Sequence, residues 1–305
     1  MPAVEITNLT KDYEVGFFRK RKVRALDDLS LSIDEHQIFG FLGANGAGKT
    51  TTLKLLMRLI FPTAGSARIL GHDIHDVRMH RRIGYLPENP YFYDYLTARE
   101  LLEYCAELFG FPAAERRKRA ADLLARVKLD EKRWDTQLRK FSKGMLQRVG
   151  LAQSLVNDPE IVFLDEPMSG LDPVGRREVR DLIASLRDDG KTVFMCSHIL
   201  SDIEVLCDRV AILKRGRLAQ VGLLDELRQR PDDPHQMEVM ATGADAATLK
   251  QYLPNGAITP TPSGLRIEIA AESEIEGVLA ALRKAGGKVV SVQPIKQSLE
   301  ELFLE

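Results

Sequence analysis

Gly43-Ala44-Asn45-Gly46-Ala47-Gly48-Lys49-Thr50 fits the pattern G-x-x-x-x-G-K-[ST] at every defined position. Glycines at this spacing let backbone N–H groups turn inward around phosphate oxygens. A helix starting there adds positive potential. Lys49 then supplies a cation to the β- and γ-phosphates of a nucleoside triphosphate, and Thr50 offers a hydroxyl to Mg²⁺. Ile161-Val162-Phe163-Leu164-Asp165-Glu166 is the natural complement. Its apolar residues bury a strand, and its two carboxylates emerge at the C-terminal end, where open α/β sheets place their ligands. Asp165 is placed to hold Mg²⁺ through water, and Glu166 to polarise the water that attacks a γ-phosphate.

These groups need elements to carry them. Ile38-Phe39-Gly40-Phe41-Leu42 reads as a buried strand that stops at the glycine cluster. From Lys49 to Ile60 the residues Leu53, Leu56, Met57 and Ile60 recur at helical spacing, and Pro62 ends the element. Arg82–Leu86, Ile161–Leu164, Thr192–Cys196 and Arg209–Leu213 read as further strands. Val179, Leu182, Ile183 and Leu186 mark an amphipathic helix. Lys214-Arg215-Gly216 reads as a hairpin turn into Arg217–Val221. This alternation predicts an α/β fold with a parallel, doubly wound sheet. A mostly helical stretch, about 90–156, interrupts it as an insertion. The first 37 residues alternate like strands without a crossover helix, which predicts an antiparallel flap.

Arg230-Pro231-Asp232-Asp233-Pro234 reads as a linker. It divides a domain over 1–229 from one over 230–305. In the second domain Gln236–Met240, Ala257–Pro260, Leu265–Ala270 and Lys288–Pro294 are expected strands. Ala244–Leu253, Glu272–Ala285 and a final Ser298–Leu304 are expected helices. The order βαββαβ predicts a small α+β, ferredoxin-like module for accessory or dimerisation use.

Phe141-Ser142-Lys143-Gly144-Met145-Leu146-Gln147-Arg148 supplies the resemblance. It is similar to the Leu-Ser-Gly-Gly-Gln signature, followed by Gln-Arg, of ATP-binding-cassette (ABC) ATPases. Ser142 and Gly144 match. Phe141, Lys143 and Met145 depart from it. Ser142 is also a plausible helix N-cap. The resemblance covers about residues 4–225 and implies a P-loop nucleotide-binding domain with a β flap and helical insertion. It implies ATP and Mg²⁺ as cofactors. Gly43, Asn45, Gly46, Gly48, Lys49, Thr50 and Thr51 are the expected phosphate contacts, with Ser142 and Gly144 facing the γ-phosphate from a second cassette. Tyr13 resembles the aromatic that stacks on adenine. Glu166, His198 and Lys49 are the expected catalytic residues, and Thr50, Asp165 and Glu88 the Mg²⁺ ligands. Glu88 stands where the family usually has glutamine. Ser169-Gly170-Leu171-Asp172 resembles the loop that crosses the dimer interface.

One P-loop and one signature segment imply a head-to-tail dimer, a homodimer or a pair with a homologous cassette. The resemblance further implies an exporter's Mg-dependent ATPase subunit, cytoplasmic and peripheral on the inner face of the membrane. The ending Ser298-Leu299-Glu300-Glu301-Leu302-Phe303-Leu304 points the same way. Its partner would be a separate transmembrane permease. Tyr91-Phe92-Tyr93-Asp94-Tyr95 reads as an interface anchor for it. Phe17-Phe18-Arg19-Lys20-Arg21-Lys22 reads either as a lipid or permease contact or as a solvated hairpin tip. Arg116-Arg117-Lys118-Arg119 reads as a solvated helix face.

Two other classes stand beside the exporter. A soluble ABC ATPase of translation or DNA repair typically carries two cassettes or a long coiled coil, and this chain shows neither. A small-molecule kinase using the P-loop is disfavoured by the signature and His198. Composition agrees: 43 basic against 44 acidic residues give a net charge of −1, so nothing advertises nucleic acid. No apolar run approaches 20 residues and no secretory signal is visible. Cys105, Cys196 and Cys207 are scattered, which argues for core positions against a disulfide framework or zinc.

Overall fold

The structure is a computed structural model that describes residues 2–16, 20–227, 237–253, 256–270 and 272–295. The chain divides into two units, Met1–Leu224 and Asp225–Glu305. The division precedes the Arg230–Pro234 segment. That segment, Phe17-Phe18-Arg19 and Ser298–Leu304 lie outside the described residues.

The first unit opens with β1 (Pro2–Val15), β2 (Arg21–Asp34), β3 (Ile38–Gly43) and α1 (Lys49–Leu56). Next come β4 (Ala64–Ile69), β5 (His72–Asp73) and β6 (Ile83–Leu86). The expected insertion follows as α2 (Ala98–Leu108), α3 (Ala113–Arg126) and α4 (Lys143–Ser154). The chain returns to the sheet with β7 (Ile161–Asp165), α5 (Pro173–Asp188), β8 (Thr192–Ser197) and α6 (Leu200–Leu206). The hairpin β9 (Arg209–Lys214) and β10 (Arg217–Leu223) closes it, and α7 (Leu224–Leu227) begins at the division.

β1, β2, β4 and β5 form an antiparallel sheet in the order β2-β1-β4-β5, the expected flap. The central sheet has the order β10-β9-β3-β8-β7-β6. All its pairs are parallel except β9 with β10. The β9–β10 turn has positive φ at Arg215 and Gly216, as a two-residue type I′ turn demands. β3, β7 and β8 are buried along their whole length, as strands covered on both faces must be.

Phe39 pairs with Phe194 across β3 and β8, and Phe163 pairs with Phe194 across β7 and β8. Ring centroids are 5.7 Å and 5.5 Å apart, and Phe41 approaches Phe194 to 5.3 Å. Leu53, Leu55 and Leu56 of α1 pack into the same core. Val179, Leu182, Ile183 and Leu186 are the buried stripe of α5, as their spacing predicts. All three cysteines are free and buried.

Two expectations need correction. The first helix was expected to reach Ile60, but α1 stops at Leu56 because Arg58 turns left-handed at φ 54. The run Arg116–Arg119 is not a uniformly solvated face. Arg116 donates to Phe111 O at 2.5 Å and pairs with Glu107. Arg119 donates to Val156 O at 2.9 Å and lies 4.2 Å from the Phe111 ring centre. Those two arginines tie α3 to its surroundings, and Arg117 and Lys118 face solvent.

The second unit holds β11 (Met237–Thr242), α8 (Ala246–Tyr252), β12 (Ala257–Thr261), β13 (Gly264–Ile269), α9 (Ile275–Lys284) and β14 (Lys288–Pro294). Its antiparallel sheet has the order β12-β13-β11-β14, the arrangement of a ferredoxin-like module. Val239, Ile267, Leu249 and Leu282 centre its own core. Among the described residues no helix is long and apolar enough to cross a membrane.

Phe194→Ala removes the ring that three other phenylalanines touch. It should destabilise the first unit by about 3–5 kcal/mol, read as a lower denaturant midpoint for the core transition.

Candidate nucleotide site

The loop after β3 is built by its glycines. Gly48 caps α1 at φ 113, and a Cβ there would lie 2.8 Å from Ala25 O. Glycine alone fits that conformation and approach. Lys49, the first residue of α1, is 6% exposed. Its Nζ donates to Gly43 O at 2.6 Å and to Ala44 O at 3.4 Å. The same Nζ is 3.7 Å from Glu166 Oε1. Thr50 Oγ1 donates to Asp165 Oδ2 at 2.9 Å. The helix thus presents a cation and a hydroxyl to the two carboxylates that end β7.

Asp165 is 1% exposed, and burial pushes its carboxyl up to about 6. The Thr50 hydrogen bond opposes that rise, the Glu166 and Glu88 charges add to it, and Lys49 opposes it. Asp165 Oδ1 is buried without a hydrogen-bond partner. Glu166 has φ 51, an uncommon left-handed conformation for a residue with a side chain. Its N–H donates to Cys196 O at 3.0 Å, which pins the turn to β8. Its Oε1 is 2.8 Å from His198 Nδ1. Glu166 therefore sits between Lys49 and His198. Gln147 of α4 is buried and donates to Pro167 O at 3.0 Å, supporting the turn from the insertion. In the sequence only its place beside Arg148 in the signature points to Gln147.

An open cleft joins these groups to the surface. Ala44, Asn45, Gly46, Gly48, Lys49, Thr50 and Thr51 line it, together with Glu88 and Glu166. Ala25 of β2 also lines it, and no motif pointed to that small residue. Tyr13 does not line the cleft. It lies half-buried on β1 opposite Val23, with Lys11 Nζ 5.3 Å from its ring centre. Ser142 caps α4, accepting from Met145 N at 3.3 Å, and Gly144 follows on the helix. Neither lines the cleft of its own chain. Asp172 caps α5 by accepting from Gly175 N at 3.0 Å.

The family model described as ABC transporter matches residues 26–169. An uncharacterized ABC transporter ATP-binding protein of Nostoc sp. is 46% identical over 305 residues, covering 99% of this chain and 89% of that protein. The chain belongs to the ABC transporter ATP-binding protein family. The bacitracin transport ATP-binding protein BcrA of Bacillus licheniformis is 40% identical over 230 residues, covering 74% of this chain and 72% of BcrA. A solved ATP-binding cassette, described as a dimeric post-hydrolysis state bound to ADP and Pi, matches with a TM-score of 0.67 and 29% identity. It covers 72% of this chain and 98% of that one. This ABC protein is accordingly an ATP-binding member of a family of ATP-hydrolysing cassettes.

The orphaned Asp165 Oδ1 beside Thr50 fits a divalent cation. Among the described residues no cluster of three or more His, Cys, Asp or Glu could hold a metal. Mg²⁺ is commonly held through one or two carboxylates together with hydroxyl, phosphate and water oxygens, and Asp165 and Thr50 offer oxygens of that kind.

Asp165 also sets a pH dependence for this ABC protein. Folded Asp165 takes up its proton near 6 and the unfolded chain near 3.8, so the folded state binds more protons between those values. Stability of the nucleotide-free, metal-free protein should therefore fall as pH rises from about 4 to about 6. Asp165→Asn should flatten that fall in thermal melts and raise the melting temperature at pH 7.5.

Proposed function

We propose that this protein is the Mg²⁺-dependent, ATP-hydrolysing subunit of an exporter-type ABC system. It works as a dimer against a separate membrane permease, on the cytoplasmic face of the membrane. The observation that carries the reading is Glu166 held between Lys49 at 3.7 Å and His198 at 2.8 Å, at the mouth of a phosphate-binding loop.

ATP enters with its phosphates under the N–H groups of residues 43–51. Lys49 exchanges its carbonyl partners for the β- and γ-phosphates. Thr50, Asp165 and Glu88 would hold Mg²⁺, which neutralises phosphate charge when bound. Glu166 accepts a hydrogen bond from the attacking water and draws its proton away. His198 orients Glu166 and meets the γ-phosphate. These groups come from rigid strand ends, so the water and phosphate are aligned rather than searched for.

Several observations support the dimer and the permease. Ser142 and Gly144 sit away from the cleft of their own chain, which suits a signature that completes a second copy's site. The solved cassette similar to this chain is dimeric. Tyr91, Tyr93 and Tyr95 are exposed, Tyr91 by 95%. The Tyr93 ring lies 5.8 Å from Tyr95 and 6.3 Å from Tyr104 of α2. Such a clustered aromatic surface beside Glu88 suits docking of a membrane subunit. The printed name of one relative, the bacitracin transport ATP-binding protein BcrA, supports a transport role.

Glu166→Gln should lower turnover by about 100-fold or more. It should retain ATP and accumulate as an ATP-dependent dimer in size-exclusion chromatography. A monomer with full turnover overturns the reading. Capture of ribosomes or DNA instead of a membrane protein by the native chain overturns the transport role.

Glu88 adds a negative charge opposite the phosphates, so ATP binding should lean on Mg²⁺. Glu88→Gln should improve ATP affinity in EDTA several-fold and change it little in millimolar Mg²⁺, measured by equilibrium fluorescence titration.

A further inference from the structure

Asp202 lies in the first turn of α6 and is 3% exposed. Its Oδ2 is buried with no hydrogen-bond partner among the described residues. Asp165 Oδ1 is in the same state, but it has a use in the site described above. Asp202 does not line the cleft. A buried carboxylate oxygen left without a hydrogen bond costs free energy, so its presence needs a reason. Burial pushes the Asp202 carboxyl up, and the charges of Arg176, Arg180 and His198 pull it back, in that order. Arg176 and Arg180 stand one turn apart on α5, both half-buried, and α5 packs on α6.

These two helices leave neighbouring strands. The segment after β7 begins with Glu166, whose C=O accepts from Ser169 N at 3.0 Å, and continues into α5. The segment after β8 begins with His198 and continues into α6. The segments meet first where His198 Nδ1 lies 2.8 Å from Glu166 Oε1. They meet again farther out, where the arginines of α5 face Asp202. The His198 side chain is 48% exposed, so packing alone does not fix it.

We propose that Asp202 is a positioning residue for ATP hydrolysis: its negative charge, drawn to Arg176 and Arg180, holds α6 against α5 and so keeps the His198 turn beside Glu166. The proposal rests on the roles of Glu166 and His198 given above. The attraction acts through protein from which water is excluded, where it is stronger than at a surface. The same burial makes the charge costly to fold around. Asp202 thus gives up stability for alignment, as groups that serve a site often do.

The test uses the full chain, with turnover read as phosphate release and folding as thermal melts at pH 7.5. Asp202→Asn keeps the shape and removes the charge. Its kcat should fall about tenfold, a scale that misalignment of reacting groups readily reaches. Its KM for ATP should stay within about twofold, because no phosphate contact is lost. Its melting temperature should rise. The folded carboxyl holds its proton to higher pH than the unfolded one, so at pH 7.5 folding must bury the charged form, and the amide removes that cost. A merely structural residue would lose activity and stability together. Arg176→Gln should lower kcat several-fold, and adding it to Asp202→Asn should cost little more. Asp202→Asn should likewise leave the residual rate of His198→Ala unchanged. An unaltered kcat in Asp202→Asn overturns the proposal. So does a loss of kcat matched by a lower melting temperature, and so do additive losses with Arg176→Gln or His198→Ala. Full turnover by His198→Ala overturns the reading of the site itself, and the proposal falls with it.

Discussion

Phe39, Phe194 and Phe163 stand side by side across three parallel strands, and that register decides where the chemistry happens. β8 lies between β3 and β7. The segment following β3 is the phosphate loop, the one following β7 begins with Glu166, and the one following β8 begins with His198. A parallel sheet brings all three ends to one edge, and the packed rings hold them level. A one-residue slip would exchange the faces of a strand and carry its terminal group away from the others. The hydrophobic layer and the polar site are therefore two ends of one constraint.

Electrostatics at that edge are arranged around Lys49. Two carboxylates, Asp165 and Glu166, are buried side by side, and Glu88 adds a third charge nearby. Such a group would be costly without opposite charge. Lys49 provides it from 3.7 Å while its other contacts are backbone carbonyls. Carbonyl contacts can be exchanged for phosphate without leaving the ammonium bare. The resting arrangement therefore resembles the one needed with nucleotide, with one set of oxygens replaced by another.

Much of this was legible in the residues. The phosphate loop, the strand β7 with its terminal carboxylate and the stripe on α5 depend on local spacing, and local spacing is what sequence records. The misses depend on tertiary context. α1 stops early because Arg58 adopts a left-handed turn, and no periodicity announces that. Ala25 lines the cleft because β2 passes the loop at Gly48, a contact between distant positions. Arg119 looked like one charge in a solvated run, and its position on the helix turned it toward Phe111 and Val156. Glu166 was found as a carboxylate, but its backbone conformation was not.

That conformation bears on timescale. Glu166 turns left-handed directly after a fully buried strand, and its own N–H is bonded to Cys196 of β8. The side chain expected to draw a proton from water is thus anchored to the segment that opens least often in such a fold. The lysine, the histidine and the cleft walls can rearrange by side-chain and loop motion in nanoseconds to microseconds. Amide exchange at Glu166 and across β7 should accordingly need the rare opening of the whole central sheet. The site has a slow floor and a fast rim.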